Sequence, residues 1–236
     1  MPENKTPFLP GGASPINFFL KKMPHEGKSL LLLGNGFPQL IPFVQNEGFS
    51  SIHSASDDTT EVFEYKANTS KNQQFPALVV DYESLDHKSG EFDFVFCQTT
   101  LTKPIKTKLI KEIKRVLKPE GVLITSEIIC IKKPAPIFLN DIWIKSGQDP
   151  HYNDEFEPFY TTRGFNLIES AEFPNDLDEF YIKSYKILET NLKTMSAEKR
   201  VQFRKDFVQE KHEIVTMVKS GALKFLNFKT LILQKI

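Results

Sequence analysis

The sequence has little cysteine and glycine, no excess of either charge and no long hydrophobic run. Its two cysteines, Cys97 and Cys130, are too few for a disulfide framework, so reduced thiols in the cytoplasm are expected. Apolar runs such as Leu30–Leu33 are far too short to span a membrane, and no signal peptide pattern begins the chain. Because 30 Lys and Arg balance 30 Asp and Glu, the composition argues against a nucleic-acid or membrane-surface binder.

Phenylalanine is abundant, with 21 among 236 residues, and this length suits one domain with a sub-domain. Five prolines and the pair Gly11-Gly12 interrupt residues 1–28. We therefore predict an N-terminal leader or cap segment at 1–28, with one short helix at 16–22. Residues 29–236 are predicted to form one domain.

Strand-like and helix-like segments alternate after the leader. Aliphatic or alternating runs predict strands at 29–33, 51–56, 77–80, 92–97 and 122–131. Between them, helical periodicity predicts helices at 38–47, from 59 onward and at 106–117. This order predicts an α/β fold with a doubly wound, mostly parallel sheet and right-handed crossovers.

The C-terminal third predicts a helical insertion before the closing strand. A helix at 154–162 and a strand at 165–173 precede a long helix at 177–195. Ser196 is a candidate cap for a second long helix that ends near 219, and 225–233 alternates like a final strand. The prediction is a seven-stranded sheet whose last strand is antiparallel, with the insertion at about 177–219.

Polar residues follow four consecutive predicted strands, where an open α/β sheet binds its ligand. A glycine turn lets a ligand approach backbone N–H groups, and Asp57 is placed to accept hydrogen bonds from ribose hydroxyls. Each feature also has a structural explanation, because turns use glycine and Asp caps helices. Together they predict a nucleoside-type ligand, with these candidate residues: Gly34, Asn35, Gly36, Asp57, Asp58, Asp81, Tyr82, Cys97 and Gln98.

The arrangement resembles the class I S-adenosylmethionine-dependent methyltransferases. The resemblance covers Ser29 to Ile131 and rests on Leu-Leu-Leu-Gly-Asn-Gly at 31–36, Asp57, Asp81, Phe-Asp-Phe-Val-Phe at 92–96 and Ile-Lys-Arg-Val-Leu-Lys-Pro-Glu-Gly-Val-Leu at 113–123. It implies a Rossmann-like methyltransferase fold and S-adenosylmethionine as cofactor. A dehydrogenase is disfavoured because Gln39 occupies the third glycine position of the dinucleotide fingerprint.

The tail resembles that of the phosphoethanolamine N-methyltransferases. The resemblance rests on the tyrosine-rich helix 177–195, on Lys205-Asp206-Phe207, and on Lys219-Ser220-Gly221 before an aromatic strand. It implies methyl transfer to a small-molecule amine acceptor, in the synthesis of phosphocholine and its phospholipid.

Several positions depart from these families. Leu32 replaces the usual acid of the first strand, and Pro38 replaces the third glycine of the cofactor loop. Thr99 and Lys103 stand where the phosphoethanolamine enzymes have an Asp and, four residues later, a catalytic His. The usual phosphate-gripping groups are also missing: Ser146, Gly147 and Gln148 occupy that region, which leaves Lys103 and Lys145 as candidates. Cofactor binding is therefore expected to be weakened or lost, and no catalytic residue is assigned.

Two hypotheses remain open. The first is an active methyltransferase that acts on a small amine, favoured by Asp57 and Asp81. The second is a catalytically degenerate methyltransferase-fold domain that serves as structural or regulatory partner of another protein or a second methyltransferase domain, favoured by Leu32, Thr99 and Lys103. The five histidines show no pair at ligand spacing in the sequence, so no metal site is predicted.

Overall fold

The computed structural model describes residues 6–236, apart from the side chains at 197, 201 and 204–206. The first five residues of the predicted leader, including Pro2, lie outside the described residues. The strands are β1 Ser29–Leu33, β2 Ser51–Ser56, β3 Ala77–Val79, β4 Phe92–Gln98, β5 Leu117–Cys130, β6 His151–Tyr152, β7 Phe165–Glu172 and β8 Leu226–Lys235. The α-helices are α1 Ser14–Lys22, α2 Phe37–Val44, α3 Thr59–Asn68, α4 Lys106–Val116, α5 Ile137–Lys145, α6 Asn153–Thr161, α7 Pro174–Thr194, α8 Ala197–Asp206 and α9 Val208–Lys219.

The strands form one sheet in the order β3-β2-β1-β4-β5-β8-β7, and the short β6 pairs with β5. Strands β1 to β5 pair in parallel, whereas β8 runs antiparallel to both β5 and β7. The predicted mostly parallel sheet with an antiparallel last strand is thus confirmed, but the two-residue β6 makes it eight-stranded instead of seven-stranded. The strand order reverses between β1 and β4, and this switch point places the loops after both strands at one edge.

The sheet is covered on both faces, which explains the continuous aliphatic run of β1. All five β1 residues are buried. Because side chains alternate along a strand, Leu31 and Leu33 join the core cluster that includes α4. Leu30 and Leu32 join the cluster on the other face, with α1 and α2. Residues from α5, α7, α9 and β8 form a third core cluster beyond the end of β5.

Several predicted boundaries differ from the structure. Helix α2 spans Phe37–Val44 instead of 38–47, and Pro42 lies inside it. Strand β5 begins directly after α4, and its irregular start, with Glu120 at φ 58°, includes the residues expected to separate the two elements. Ser196 caps α8 as predicted, accepting the Lys199 N–H at 3.4 Å. The expected single helix nevertheless breaks at Phe207, whose φ of −120° lies outside the helical range.

Helix α1 anchors the leader to the body of the protein. Ile16 and Phe19 are fully buried. The Phe19 ring lies 5.1 Å from the Phe94 ring and 6.1 Å from the Phe96 ring of β4, measured between centroids. This face of α1 is therefore part of the core. Among residues 6–236, every helix is too short or too polar to cross a membrane.

We expect Phe19→Ala to lower the free energy of unfolding by about 3–5 kcal/mol, the usual cost of removing a fully buried ring. Phe63→Ala is the control, because its ring on α3 is 64% exposed and its loss should change stability by less than about 0.5 kcal/mol. Urea denaturation of both variants measures the difference. Equal effects would contradict the assignment of α1 to the core.

Candidate functional site

A pocket of about 250 Å³ opens beyond the carboxyl ends of β1 and β4. This is slightly below the roughly 300–1,000 Å³ of most small-molecule sites. Residues after β1, β3 and β4 form one wall, and residues of α5, α7 and α9 form the other. Its lining comprises Pro10, Asn35, Tyr82, Thr99, Thr100, Thr102, Lys103, Ile128, Trp143, Gln148, Pro150, Phe180, Tyr181 and Glu213.

The glycine turn after β1 is covered by the protein's own side chains. Gly34 and Gly36 have φ angles of 121° and 88°, which favour glycine. A Cβ at Gly34 would lie 2.0 Å from Thr100 Oγ1, and one at Gly36 would lie 2.4 Å from Leu9 Cδ2. The close approach that these glycines permit is therefore made by Thr100 and Leu9.

Glu61 provides an acidic group at the glycine turn that sequence reasoning missed. The Gly36 N–H donates to Glu61 Oε1 at 2.6 Å. Burial raises the pKa of Glu61, although the Gly36 N–H opposes the shift. Leu32, at the position of the expected first-strand acid, is fully buried in the core. A carboxylate from α3 thus contacts the glycine turn. Because Glu61 is 25 residues from Gly36 along the chain, no local sequence motif indicates this contact.

Lys103 contacts two of the predicted site residues. Its ammonium pairs with Asp57 Oδ2 and lies 4.6 Å from the centroid of the Tyr82 ring. Burial and the charge of Asp57 raise the pKa of Tyr82. Asn35 Oδ1 accepts hydrogen bonds from Ser56 Oγ at 2.8 Å and from Tyr82 Oη at 3.4 Å. The structure therefore brings Asn35, Asp57 and Tyr82 together, and Lys103 contacts both Asp57 and Tyr82.

Three other predicted residues make structural contacts. Asp58 caps α3, since its Oδ1 accepts the Glu61 N–H at 3.1 Å. Asp81 Oδ1 accepts the Glu83 N–H at 2.8 Å in an exposed turn. Cys97 is fully buried in the core, away from the pocket lining, and burial raises the pKa of its thiol.

Gln98 holds a part of the leader over the strand ends. Its Nε2 donates to the Pro10 carbonyl at 2.7 Å and to the Gly12 carbonyl at 3.1 Å. We call residues 9–12 the strap segment. Leu9 of this segment contacts Gly36, and Pro10 lines the pocket. The strap segment therefore limits the pocket on the side of the glycine turn.

Glu213 of α9 supplies a carboxylate to the opposite wall. Its Oε1 accepts the Tyr181 hydroxyl at 2.9 Å, and its Oε2 accepts the Ser146 hydroxyl at 3.3 Å. Burial raises the pKa of Glu213, and both hydroxyls oppose the shift. Trp143 is 6% exposed and also lines the pocket. Lys145 instead lines a separate cleft.

The loop after β4 is held by a buried carboxylate. Glu127 Oε1 accepts the N–H groups of Thr100 at 3.2 Å and Leu101 at 2.9 Å. Just before them, Thr99 adopts a φ of 55°, a left-handed conformation unfavourable for a β-branched residue. Glu127 thus fixes the loop that carries Thr99 and Lys103 into the pocket. Complete burial raises the pKa of this carboxyl to about 7.

The pKa of Glu127 predicts a pH-dependent stability. As pH rises from about 4.5 to about 7, the unfolded state gives up this proton before the folded state, so folding is destabilised. Glu127→Gln cannot ionise and keeps an acceptor for the Leu101 N–H. The free energy of unfolding of wild type should fall with pH across this window, whereas that of Glu127→Gln should not. The difference between the variant and wild type should therefore grow by about 3 kcal/mol in favour of the variant. Urea denaturation at about pH 4 and about pH 8 measures this change.

The exposed Glu64 of α3 provides the matched control for this change. Glu64→Gln should leave the pH profile of wild type unchanged. Parallel profiles for wild type and Glu127→Gln would show that the carboxyl of Glu127 ionises normally in the folded protein.

Comparison with known proteins gives one family match. Residues 33–125 match the family described as "methyltransferase domain". This segment runs from the end of β1 into β5 and contains the glycine turn, Asp57, Tyr82 and Lys103. No curated protein sequence matches the chain.

Solved structures extend the likeness to nearly the whole chain. A protein from Galdieria sulphuraria, described as a sarcosine dimethylglycine methyltransferase, has a TM-score of 0.72 at 18% identity, over 94% of this chain and 83% of that one. The [4+2]-cyclase SpnF has a TM-score of 0.74 at 16% identity, over 94% and 81%.

Phosphoethanolamine N-methyltransferase 2 of Haemonchus contortus is also similar. Its structure, in complex with phosphomonomethylethanolamine and S-adenosylhomocysteine, gives a TM-score of 0.71 at 18% identity. The alignment covers 96% of this chain and 53% of that protein, so the chain spans about half of its length. Similarity at this level of identity establishes the fold.

Proposed function

We propose that this chain, which has the fold of the class I S-adenosylmethionine-dependent methyltransferases, binds S-adenosylmethionine and methylates a small amine. The observation that carries the proposal is the composition of one pocket. Asn35, Tyr82 and Lys103 line it on the side of the strand ends, and Trp143 and Glu213 line it on the side of the helices. We call the side at the strand ends the nucleoside half of the pocket and the side at the helices its acceptor half.

The nucleoside half has the polar groups that the cofactor requires, but these groups already bond to other side chains of the protein. Asp57 can accept hydrogen bonds from ribose hydroxyls, and Asn35 and Tyr82 lie beside it. The ion pair of Lys103 with Asp57 occupies the carboxylate that would accept these hydrogen bonds. Both side chains are about one-third exposed, at 32% and 36%, so Lys103 can turn toward solvent at small cost. The residues fit the cofactor once Lys103 and the strap segment move.

The acceptor half suits a cation. Aromatic rings of Trp143 and Tyr181 line it together with the carboxyl of Glu213, and both kinds of group attract an ammonium. A phosphate ester is disfavoured, because Glu213 would repel it and Lys103 is the one lysine in the lining. The acceptor proposed is therefore a small amine, with phosphoethanolamine as the comparison substrate.

The bound cofactor would supply a methyl group on a positively charged sulfur. An amine can accept that methyl group only through its lone pair, so it must first lose its extra proton. Glu213 is suited to hold the ammonium and to take this proton, because its carboxyl lines the acceptor side of the pocket and burial raises its pKa. Trp143 and the helices α7 and α9 exclude water from the same space.

Calorimetric titration with S-adenosylmethionine and S-adenosylhomocysteine tests the nucleoside half. We expect Asp57→Asn to weaken binding about 10- to 100-fold, because the variant loses the hydrogen bonds that the cofactor would donate to a charged carboxylate. Lys103→Met should tighten binding on the order of 3- to 10-fold, because it removes the competing ion pair and the ring contact. Lys111→Met, an exposed lysine of α4, is the control and should bind as wild type does.

Methyl transfer to a panel of small amines tests the acceptor half. We expect Glu213→Gln to reduce kcat/KM for the amine about 10- to 100-fold through loss of a charged contact, with cofactor affinity unchanged. Glu157→Gln, an exposed carboxylate of α6, is the control and should retain full activity. A Glu213→Gln enzyme as active as wild type would remove Glu213 from the acceptor site.

A second candidate function is a catalytically degenerate domain that acts through a protein partner. The contacts of Leu9 with Gly36, of Glu61 with the Gly36 N–H and of Lys103 with Asp57 favour it, since each fills or occupies a cofactor position. Absence of binding heat and of thermal shift at millimolar cofactor, in wild type and in Lys103→Met alike, would support this function and contradict the enzyme.

A further inference from the structure

Two histidines and a glutamate meet on the sheet, away from the pocket. His53 lies in β2, His87 in the loop before β4, and Glu91 directly before β4. His53 and His87 are 34 residues apart in the sequence, which is why no ligand spacing was visible there. Their ligand atoms and that of Glu91 all lie within 4.8 Å of one another. We propose that these three side chains bind a Zn²⁺ ion, with water as the fourth ligand.

The distances favour a shared ion over direct hydrogen bonds. His53 Nδ1 lies 4.0 Å from Glu91 Oε1, and His87 Nδ1 lies 3.7 Å from Glu91 Oε2. Both exceed hydrogen-bond length. Ligand atoms at about 2.0–2.1 Å around a tetrahedral Zn²⁺ are about 3.3 Å apart. Since the three ligand atoms lie within 4.8 Å of one another, side-chain rotations that shorten these separations by about 1.5 Å or less would bring them onto one ion.

The three side chains are held in place by contacts that need no metal. The buried Phe92 ring packs against both imidazoles, with centroid distances of 5.3 Å to His53 and 5.0 Å to His87. Arg115 donates to the His87 carbonyl at 2.7 Å, and the Lys88 N–H donates to Glu91 Oε2 at 2.7 Å. A site arranged in advance loses less conformational entropy when the ion binds.

The ligand chemistry and the exposure suit zinc. Two imidazoles with one carboxylate form a set used for Zn²⁺ with an open fourth position, whereas Mg²⁺ and Ca²⁺ prefer oxygen. The side chain of His87 is 3% exposed, so the protein encloses this ligand on most sides. His53 and Glu91 are 27% and 28% exposed, which leaves access for the ion and a water.

The nearby positive charge of Arg115 is offset within the structure. Its guanidinium pairs with Glu112 at 2.7 Å on α4. A bound ion would join β2 to the loop before β4, and it would stabilise the folded chain because the unfolded chain lacks the arrangement.

Zinc titration of the tag-free, EDTA-treated full chain tests the site. We expect saturable binding of one equivalent by calorimetry, a raised melting temperature, and tetrahedral visible bands when Co²⁺ replaces Zn²⁺. His53→Gln should weaken Zn²⁺ binding by at least about 100-fold, more than the loss of a supporting residue costs. The matched control, His212→Gln, removes an exposed histidine of α9 and should bind as wild type does.

His53→Gln is the decisive variant, because its side chain is 27% exposed and can be replaced without opening the core. Glu91→Gln provides a second, since its amide oxygen still accepts the Lys88 N–H. Circular dichroism without metal verifies that each variant is folded. The proposal is overturned if wild type takes up no Zn²⁺ saturably, or if folded His53→Gln and Glu91→Gln bind it with unchanged affinity.

Discussion

The shape of the pocket depends on one side chain, Gln98 at the end of β4. Its amide holds the carbonyls of Pro10 and Gly12, which keeps the strap segment over the carboxyl edge of the sheet. From there Leu9 reaches Gly36, and Gly11 meets Phe228 of β8, whose ring lies 2.0 Å from where a Cβ would stand. The strap segment thereby contacts both the glycine turn and the last strand, so any movement of this segment breaks contacts with both.

Much of the fold could be predicted because burial on both faces leaves a direct mark on the sequence. A strand such as β1 must be aliphatic throughout, and the alternation of such runs with amphipathic segments predicts a parallel sheet. The features that were missed leave no such mark. The break at Phe207 has no proline or glycine, the two residues of β6 are too few for a pattern, and β5 starts among residues that usually end a helix.

The candidate site was predictable in part for a related reason. Chain direction alone brings Asn35, Asp57 and Tyr82 to one edge, since the ends of neighbouring parallel strands meet there. Their partners come from elsewhere: Lys103 is 46 residues from Asp57, and Glu61 is 25 residues from Gly36. Glu213 lies in a charged helix whose pattern indicates a solvent-facing surface. Contacts of this kind depend on tertiary packing, which a single sequence does not reveal.

The Lys103–Asp57 ion pair makes the cleft beside Tyr82 sensitive to ionic strength. Salt screens charges in contact with solvent over about 8 Å at physiological concentration, and both members of this pair are about one-third exposed. Added salt therefore weakens this ion pair and frees the Asp57 carboxylate to accept hydrogen bonds from other groups. The position of the Lys103 side chain beside Asp57 and Tyr82 thus depends on the ionic strength around the protein, whether or not a ligand is bound.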